Sequence, residues 1–301
     1  MEKAADVAFP HLHLYFEHLP KIIPIGGFGI AYYGICIALG MLLGILLVIV
    51  VAKKTGQNPE QYLDYALYGI LLSVAGARIY YVIFSWDRFK DHPLQIFNLR
   101  TGGLAIYGGV IVAIITAFVY CRIKKISFFT FADTAILGLI TGQMIGRYGN
   151  FFNREVFGGY TDCLFAMRLR LDEVAVEDVT QAMRDHATVV DGVSYIQVHP
   201  TFLYESMWNG VVLIVLLLLT YWKKKKKFKV GEGDVFRGYL MGYGLGRLII
   251  EYVRTDQLKI WNTNIPVSMV LSGFLLTVAG IWQLKVSLAR KNADSTEVEK
   301  I

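Results

Sequence analysis

The chain has 301 residues, of which 55% are hydrophobic and 18% are charged. A water-soluble domain of this size carries less apolar sequence, so the composition argues against an ordinary soluble fold and favours a polytopic membrane protein. The formal net charge is +6 at pH 7. A basic chain can bind nucleic acid, but no recognisable nucleic-acid-binding fold is predicted that would display the lysines, so we set that class aside.

Stretches of about 20 apolar residues, enough to cross a hydrocarbon core as a helix, recur along the sequence. We predict an all-α polytopic membrane protein with about seven transmembrane helices and a small mixed α/β extracytoplasmic cap between helices four and five. The fourth and sixth spans are short and carry polar residues. The predicted spans lie near residues 27–52, 66–84, 103–121, 130–146, 202–222, 236–252 and 265–284.

The spans divide the chain into five segments. Residues 1–26 contain no apolar stretch or cleavage site typical of a signal peptide, and we expect an amphipathic or irregular extracytoplasmic segment there. Helices one to four occupy 27–146. A site loop and the extracytoplasmic cap occupy 147–201, where "CLFAMRLRL" and "VDGVSYIQVHP" alternate like short strands. Helices five to seven occupy 202–284, and 285–301 is expected to be a cytoplasmic tail.

Lysine and arginine are distributed unevenly between the two sets of loops. The loops 53–65, 122–129, 223–235 and 285–301 hold 15 of the 30 basic residues in 51 positions, whereas the other loops hold 12 in 111 positions. The positive-inside rule therefore places the first set in the cytoplasm. This orientation puts the N-terminus outside and the C-terminus inside.

Three cysteines, at positions 36, 121 and 163, are too few and too scattered for a disulfide framework or a zinc site. The sequence also lacks a metal-ligand spacing such as HExxH. We therefore predict no metal site.

In this orientation, polar residues from five spans reach the same depth in the outer half of the membrane. Taken singly, an arginine can snorkel to the interface and a tyrosine can belong to an aromatic belt. Their convergence instead favours a shared functional cavity. The converging residues are Tyr32 and Tyr33 in span one, Arg78 in span two, Tyr107 in span three, Arg147 in span four, and Arg247 and Glu251 in span six.

The sixth span carries its polar residues on one helical face. Tyr239, Tyr243, Arg247, Glu251 and Arg254 follow at helical spacing. Beside them runs a row of glycines at 238, 242 and 246 that permits a neighbouring helix to approach closely. An ion pair between Arg247 and Glu251 would only neutralise the helix, whereas two cations and one anion predict a net positive stripe.

A positively charged pocket at headgroup depth suits a phosphate, because the guanidinium of arginine binds two phosphate oxygens at once. The stretch "GRYGNFFNREVFGG" at 146–159 fits such a pocket. The glycines that flank Arg147 are expected to permit a turn or a close approach of the backbone, and Asn150 and Asn153 can bond a headgroup through their amides. Glu155 is either a base or an orienting partner of Arg147 or Arg154.

This stretch resembles the signature of the prolipoprotein diacylglyceryl transferase family, G-R-x-G-N-F-x-N-x-E-x-x-G. The matching residues are Gly146, Arg147, Gly149, Asn150, Phe151, Asn153, Glu155 and Gly158. Further matches follow in family order over nearly the whole chain. They are "YYG" at 32–34, "GARIYYVIF" at 76–84, "GGLAIYGG" at 102–109, "HPTFLYE" at 199–205 and "GYGLGRLIIEYVR" at 242–254.

The resemblance implies a bacterial inner-membrane enzyme that works without a metal or organic cofactor. Its substrates would be phosphatidylglycerol and the lipobox cysteine of a preprolipoprotein; a thioether forms and glycerol phosphate is released. Many family members have histidine where this chain has Tyr107. A tyrosine has a reference pKa of about 10 and is a poor base near neutral pH, so we expect Tyr107 to donate a hydrogen bond instead.

These arguments and the motif positions together predict the site. The predicted catalytic residues are Arg147, Arg247, Glu155, Glu251, Tyr33 and Tyr107. The predicted substrate-binding residues are Arg147, Asn150, Asn153, Gly158, Arg78, Tyr243 and Arg254. Either Glu155 or Glu251 is expected to accept the thiol proton, whereas the HP context of His199 favours a structural turn.

The main alternative is a transporter or flippase of an anionic phospholipid. It predicts polar residues through the inner half of the membrane and a pseudo-symmetric repeat, neither of which is evident in the sequence. The oligomeric state stays open.

Overall fold

The computed structural model describes residues 4–99, 102–226, 230–260 and 263–298. The described chain is mostly helical, with a small region of sheet. The helices are α1 (Tyr32–Thr55), α2 (Pro59–Phe84), α3 (Ile106–Lys124), α4 (Phe128–Asn153), α5 (Gln181–Asp185), α6 (Thr201–Lys224), α7 (Asp234–Glu251) and α8 (Val267–Val298). The strands are β1 (Val7–Phe9), β2 (Leu14–Phe16), β3 (Ile22–Ile25), β4 (Phe28–Ala31), β5 (Met167–Arg170), β6 (Thr188–Val190) and β7 (Val193–Val198).

Six helices in the described residues are long and apolar enough to cross a membrane, namely α1, α2, α3, α4, α6 and the Val267–Asn292 part of α8. The predicted sixth span, 236–252, coincides with α7. This helix has 18 residues, and four of them are charged: Asp234, Arg237, Arg247 and Glu251. Six apolar helices are therefore established, and a seventh span remains a prediction.

The chain before the first long helix is more regular than the sequence indicated. We expected an amphipathic or irregular segment at 1–26 and a span from residue 27, but β3 and β4 form an antiparallel hairpin and α1 begins at Tyr32. Further upstream, β1 pairs with both β2 and β5. The N-terminal segment thus contributes strands to a sheet. The short strand β1 pairs with β5, which lies far along the chain.

The five-stranded sheet has the order β2-β1-β5-β7-β6, with every neighbouring pair antiparallel. Val7 lies opposite Leu169, and Met167 lies opposite Val198. These four side chains are fully or almost fully buried, in a core that also contains Phe157. Burial of one face of the sheet therefore holds the first strands against the 147–201 segment, which was predicted to be a small external cap of mixed structure without these strands.

Two compact units make up the chain. One contains Met1–Gly44 and Ile136–Ile301, and the other contains Ile45–Ala135. The second unit is built on α2 and α3, and its core includes Tyr62, Tyr120 and Phe131. The first unit contains the sheet, the end of α4 with the family signature, and helices α6, α7 and α8.

Helices α6 and α7 pack closely in the first unit. A Cβ atom added to Gly242 would lie 2.9 Å from a methyl carbon of Val212, and one added to Gly246 would lie 2.0 Å from the indole nitrogen of Trp208. The indole N–H of Trp208 donates to the carbonyl of Gly242 at 2.9 Å. The glycine row of α7 therefore admits a neighbouring helix, as expected, and the neighbour is α6.

Candidate active site

The first eight residues of the signature stretch, Gly146–Asn153, are the last turns of α4. We predicted a turn or a close backbone approach around Arg147 and a loop from this residue onward. The helix instead continues to Asn153, and a close approach is present at Gly149, where an added Cβ atom would lie 2.7 Å from the ring of Tyr33. It ends in a Schellman motif, in which the N–H of Glu155 donates to the carbonyl of Asn150 (3.1 Å) and that of Arg154 donates to Phe151 (3.2 Å). Arg154 takes the left-handed conformation (φ 56°) that this motif requires.

Arg154 is held by ion pairs with residues outside the signature stretch. Its guanidinium contacts the carboxylates of Asp6 (3.5 Å) and Glu173 (2.5 Å), and its side chain is 1% exposed. It also donates to the carbonyls of Leu19 and Phe152. These contacts explain how a non-glycine residue is held at a position that usually carries glycine.

Arg147, which lies on α4, forms an ion pair with Glu205 on α6. Glu205 also accepts from Arg247 (3.1 Å) and from Arg254 (3.5 Å). The side chain of Glu205 is 5% exposed, whereas those of Arg147 and Arg247 are 21% and 15% exposed. One buried carboxylate therefore gathers three arginines from three separate segments. We call these four residues the Glu205 cluster.

Two further carboxylates pair with arginines of the Glu205 cluster and balance their positive charge. Glu251 pairs with Arg247 at 2.6 Å, and its side chain is 2% exposed. Asp256 binds Arg254 through both oxygens, at 3.0 and 2.7 Å. The net positive stripe expected on the sixth span is therefore absent, because Glu205 and Asp256 contribute two anions that the helical spacing alone does not reveal.

Arg254 does not lie on the helix face to which we assigned it. Helix α7 ends at Glu251, and the backbone N–H of Arg254 donates back to the carbonyl of Glu251 at 3.2 Å. Arg254 reaches the Glu205 cluster from the turn after the helix. That turn pairs with Gly158 through an isolated antiparallel bridge.

Gly158 lies where three backbone segments meet. Its N–H donates to the carbonyl of His199 at 3.0 Å. A Cβ atom added here would lie 2.7 Å from the carbonyl oxygen of Val253 and 2.8 Å from the Cβ of His199. Only glycine fits between these segments, so Gly158 supports the turn that carries Arg254.

Asn150 and Tyr33 lie near Glu155. The amide of Asn150 donates to the carboxylate of Glu155 at 3.0 Å, and Asn150 is 8% exposed. The ring of Tyr33 packs against Gly149, and the charges of Glu155 and Arg147 both act on its phenol. The first unit thus brings Tyr33, Asn150 and Glu155 into one neighbourhood beside Arg147.

Tyr243 lines a cavity of only about 10 Å³ together with Glu205, Trp208 and Arg247. This volume is that of about one water molecule, too small for a lipid headgroup. The rings of Tyr243 and Tyr239 stack at 5.5 Å. In the described residues, no group of three or more His, Cys, Asp or Glu side chains is arranged to hold a metal ion.

His199 plays a structural part, in keeping with its HP context. Its carbonyl accepts from Gly158 and from Thr201, and its ring lies 3.2 Å from the hydroxyl of Tyr204. Burial lowers the pKa of His199 below its ordinary value, so its ring is neutral near pH 7.

Arg78 and Tyr107 belong to the other unit. The guanidinium of Arg78 is 5% exposed and uses all five N–H groups, each bonded to a different backbone carbonyl. The acceptors, at 2.7 to 3.0 Å, are Gln95, Ile96, Asn98, Gly102 and Gly103. Tyr107 lies in the first turn of α3 and is partly buried. Their participation in the same site as Arg147 remains a prediction.

Comparison with known proteins tests the resemblance carried by the signature. A family model described as prolipoprotein diacylglyceryl transferase matches residues 20–285. The chain belongs to this family. The predicted family is thereby confirmed, and membership favours the transferase over the transporter or flippase.

Relatives in several bacteria carry the name phosphatidylglycerol–prolipoprotein diacylglyceryl transferase. The Bacillus cytotoxicus protein is 37% identical over 282 residues, which cover 92% of this chain and 95% of the relative. The Clostridioides difficile protein is 40% identical over 273 residues, covering 91% and 96%. The Nostoc protein is 34% identical over 280 residues, covering 93% and 94%.

Sequence reasoning did not single out Glu205, which pairs with three arginines in the structure. It is the last residue of the quoted match "HPTFLYE" and lies in the second turn of an otherwise apolar helix, α6. An ionisable residue in a predicted membrane span marks a functional site by default, so this signal was available. The arginine partners of Glu205 could not be predicted from this signal, because they lie 42 to 58 positions away in sequence.

Proposed function

We propose that this protein transfers the diacylglyceryl group of phosphatidylglycerol to the lipobox cysteine thiol of preprolipoproteins. A thioether forms and glycerol phosphate leaves, which is the first step of bacterial lipoprotein maturation. Family membership supports the reaction. The structural observation that carries the proposal is the Glu205 cluster, where three arginines from separate segments meet beside the signature residues.

We further propose that the enzyme resides in the cytoplasmic membrane with seven spans, in which α7 is the sixth span and joins the six apolar helices. Helix α7 packs against both α6 and α8, which suits a polar span enclosed by more apolar ones. The basic loops favour an outside N-terminus and a cytoplasmic C-terminus. In this orientation, the Glu205 cluster faces the outer leaflet.

Arg147 and Arg247 are proposed to bind the lipid phosphate. Their side chains are partly exposed. The side chain of Glu205, which forms ion pairs with both of them, is nearly inaccessible. Because the adjoining cavity is about 10 Å³, the headgroup would bind at the exposed edge of the guanidinium groups. Two planar forks held by a common carboxylate are preorganised for bidentate contact with phosphate oxygens.

The chemical step is a displacement at the glycerol carbon that bears the phosphate. The thiolate sulfur attacks this carbon, and the carbon–oxygen bond to the phosphate breaks with its electron pair leaving on oxygen. Arg147 and Arg247 stabilise the charge that grows on the departing phosphate. A free thiol has a reference pKa of about 8.5, and nearby cations lower it, so the same arginines favour the thiolate.

Glu155 is the better of the two proposed proton acceptors. Glu251 is almost fully buried and engaged by Arg247, so a substrate thiol has little access to it. Glu155 is partly exposed, and the amide of Asn150 orients its carboxylate. We propose that Glu155 takes the thiol proton and that Glu251 instead holds Arg247 in position.

The remaining predicted residues divide into contact and positioning roles. Tyr33, Asn153 and Tyr243 are proposed to contact the headgroup, whereas Arg254 and Gly158 position the cluster. For Arg78, whose five donors are all bonded to carbonyls, we propose that it fixes the loop ahead of α3.

The test uses the purified full chain, phosphatidylglycerol and a synthetic lipobox peptide. We expect the peptide to gain the mass of one diacylglyceryl group and free glycerol phosphate to appear in equal amount. A peptide with Cys→Ser at the lipobox should gain nothing. Movement of labelled phosphatidylglycerol across a vesicle membrane without any peptide modification would refute the proposal and support the flippase.

A further inference from the structure

A second cavity of about 590 Å³ lies between α6, α7 and α8, near the start of α7. Its volume falls in the range of small-molecule sites, roughly 300–1,000 Å³. It adjoins Asp234, whereas the Glu205 cluster pairs with Glu251 at the other end of the same helix. At about 1.5 Å per residue, the 17 steps from Asp234 to Glu251 span about 25 Å. The two sites are therefore distinct.

One end of this cavity is polar and charged. The guanidinium of Arg290 donates to Asp234 at 2.6 Å, and Asp234 also pairs with Arg237. Lys291 adds a further cation to the cavity wall. The side chain of Arg237 is 2% exposed, whereas that of Arg290 is 30% exposed. Arg290 and Lys291 are therefore the cations that a ligand can reach.

The charged end is held in a defined geometry. The backbone N–H of Gly231 donates to Asp234 at 2.7 Å. A Cβ atom added to Gly231 would lie 2.4 Å from the guanidinium of Arg290. On the inner side, Arg237 donates to Gln283 at 2.6 Å and lies over the ring of Trp282. Contacts from the loop before α7 and from helix α8 thus fix the position of Arg290 in the cavity wall.

The rest of the cavity wall is mostly apolar. Leu219 and Trp222 contribute from α6, and Met241 contributes from α7. A soluble anion would use only the charged end of such a cavity, whereas an amphiphile matches both ends. Basic residues at the end of a membrane helix also attract anionic lipids, and α6 ends in Lys223 and Lys224 beside this cavity.

We propose that this cavity binds one anionic phospholipid, with the phosphate at Arg290 and Lys291 and an acyl chain along Leu219, Trp222 and Met241. In the proposed orientation, the lipid comes from the cytoplasmic leaflet, opposite the leaflet that supplies the transferred group. Its function is to hold α6, α7 and α8 together from that side.

The experiment measures lipid binding, so its outcome does not depend on transferase activity. The full chain is delipidated in neutral detergent and titrated with phosphatidic acid or with phosphatidylcholine of the same acyl chains, and native mass spectrometry counts bound lipid. We expect a saturable phosphatidic acid site that persists in Arg147→Ala. Phosphatidylcholine should bind at least about tenfold more weakly, since the loss of one charge-assisted contact corresponds to about 1.4 kcal/mol.

Three variants locate the site. Arg290→Gln with Lys291→Gln should weaken phosphatidic acid about tenfold or more, by the same conversion. Ser287→Phe leaves the bond between Arg290 and Asp234 in place and fills the cavity, so it should also weaken binding. Lys285→Gln removes an exposed charge from the same helix outside the cavity wall and should change nothing.

Two results would overturn the proposal. Equal loss in Lys285→Gln and in the Arg290, Lys291 pair would show general attraction to a basic surface. Full displacement of phosphatidic acid by millimolar glycerol phosphate would show an anion site that does not use the apolar wall.

Discussion

Two arginine environments in this chain differ in which groups accept the N–H hydrogen bonds. Arg78 donates only to backbone carbonyls in the set of bonds that the structure describes for it. Arg147, Arg247 and Arg254 meet carboxylates. A backbone carbonyl carries no net charge and is part of the main chain. The bonds of Arg78 to such carbonyls therefore stabilise the conformation of a loop. A carboxylate and a phosphate can each accept two parallel N–H bonds from one guanidinium. The arginines of the second arrangement can therefore also bind a phosphate.

This difference suggests how a burial value should be interpreted. Arg78 and Arg254 are both nearly buried, but the described bonds of Arg78 go to backbone carbonyls, whereas Arg254 bonds to the carboxylates of Glu205 and Asp256. A buried pair is costly to break when one partner is removed, about 3–5 kcal/mol, because the other charge is left unpaired. Reaction and stability are therefore measured separately for substitutions in the two environments.

Removal of an arginine from the Glu205 cluster should have the largest effect. We expect Arg147→Ala and Arg247→Ala each to lower diacylglyceryl transfer by at least about 10²–10³-fold, the range seen when one transition-state donor is lost. Arg→Lys at either position should also fail, because a single ammonium cannot make the two-pronged contact. Transfer to a lipobox peptide is the assay, and retention in the membrane fraction is the control. Substantial activity in either Ala variant would remove that residue from the site.

Substitution of the shared carboxylate tests whether the cluster is preorganised. In Glu205→Gln, the three arginines lose a common anchor but gain no competing group. We expect kcat to fall about tenfold or more, as one positioning interaction is lost, while the KM for phosphatidylglycerol stays level or falls. Glu205→Asp should recover part of kcat. A rise in KM with unchanged kcat would assign Glu205 to ground-state binding of the substrate.

Arg78 should behave differently, with a loss of stability that exceeds the loss of reaction. Arg78→Lys keeps the charge but removes at least two of the five donors. We expect about 3 kcal/mol of destabilisation, at 1.5 kcal/mol or more for each bond to a charged group. Thermal unfolding in detergent measures it, and transfer is normalised to folded protein. Arg88→Lys is the matched control, because Arg88 is exposed and donates to Tyr81. Equal shifts of the unfolding temperature in the two variants would contradict the proposal that Arg78 fixes the loop ahead of α3.

The same contrast shows how far the sequence predicts the structure. Long apolar runs located six helices, and the signature located the family, because both are local patterns. The short strand Val7–Phe9 escaped prediction because its partner Leu169 lies 162 positions away, and only burial against that partner makes it a strand. The Glu205 cluster likewise depends on segments that meet only in the folded chain.

Local propensity also misassigned the end of α4. Glycine and asparagine in "GRYGNFFN" favour a turn, yet the helix continues to Asn153, because the contacts of Arg154 with Asp6 and Glu173 place the Schellman turn after it. The same stretch correctly indicated the family. The family was readable from residue type and spacing, whereas the backbone of the stretch depends on Asp6 and Glu173, which lie outside it.

The smallest effect is expected at Tyr107, and it tests whether the loop fixed by Arg78 serves the reaction. Tyr107→Phe removes one hydroxyl, and the loss of a single neutral hydrogen bond of about 0.5–1.5 kcal/mol corresponds to a two- to twelvefold change in rate. Tyr107→His restores a polar ring and should keep most of the activity. The readouts are kcat and KM for phosphatidylglycerol in both variants. Full activity in Tyr107→Phe would indicate that the loop fixed by Arg78 has only a structural role. The two arginine environments would then differ in function as well as in their acceptors.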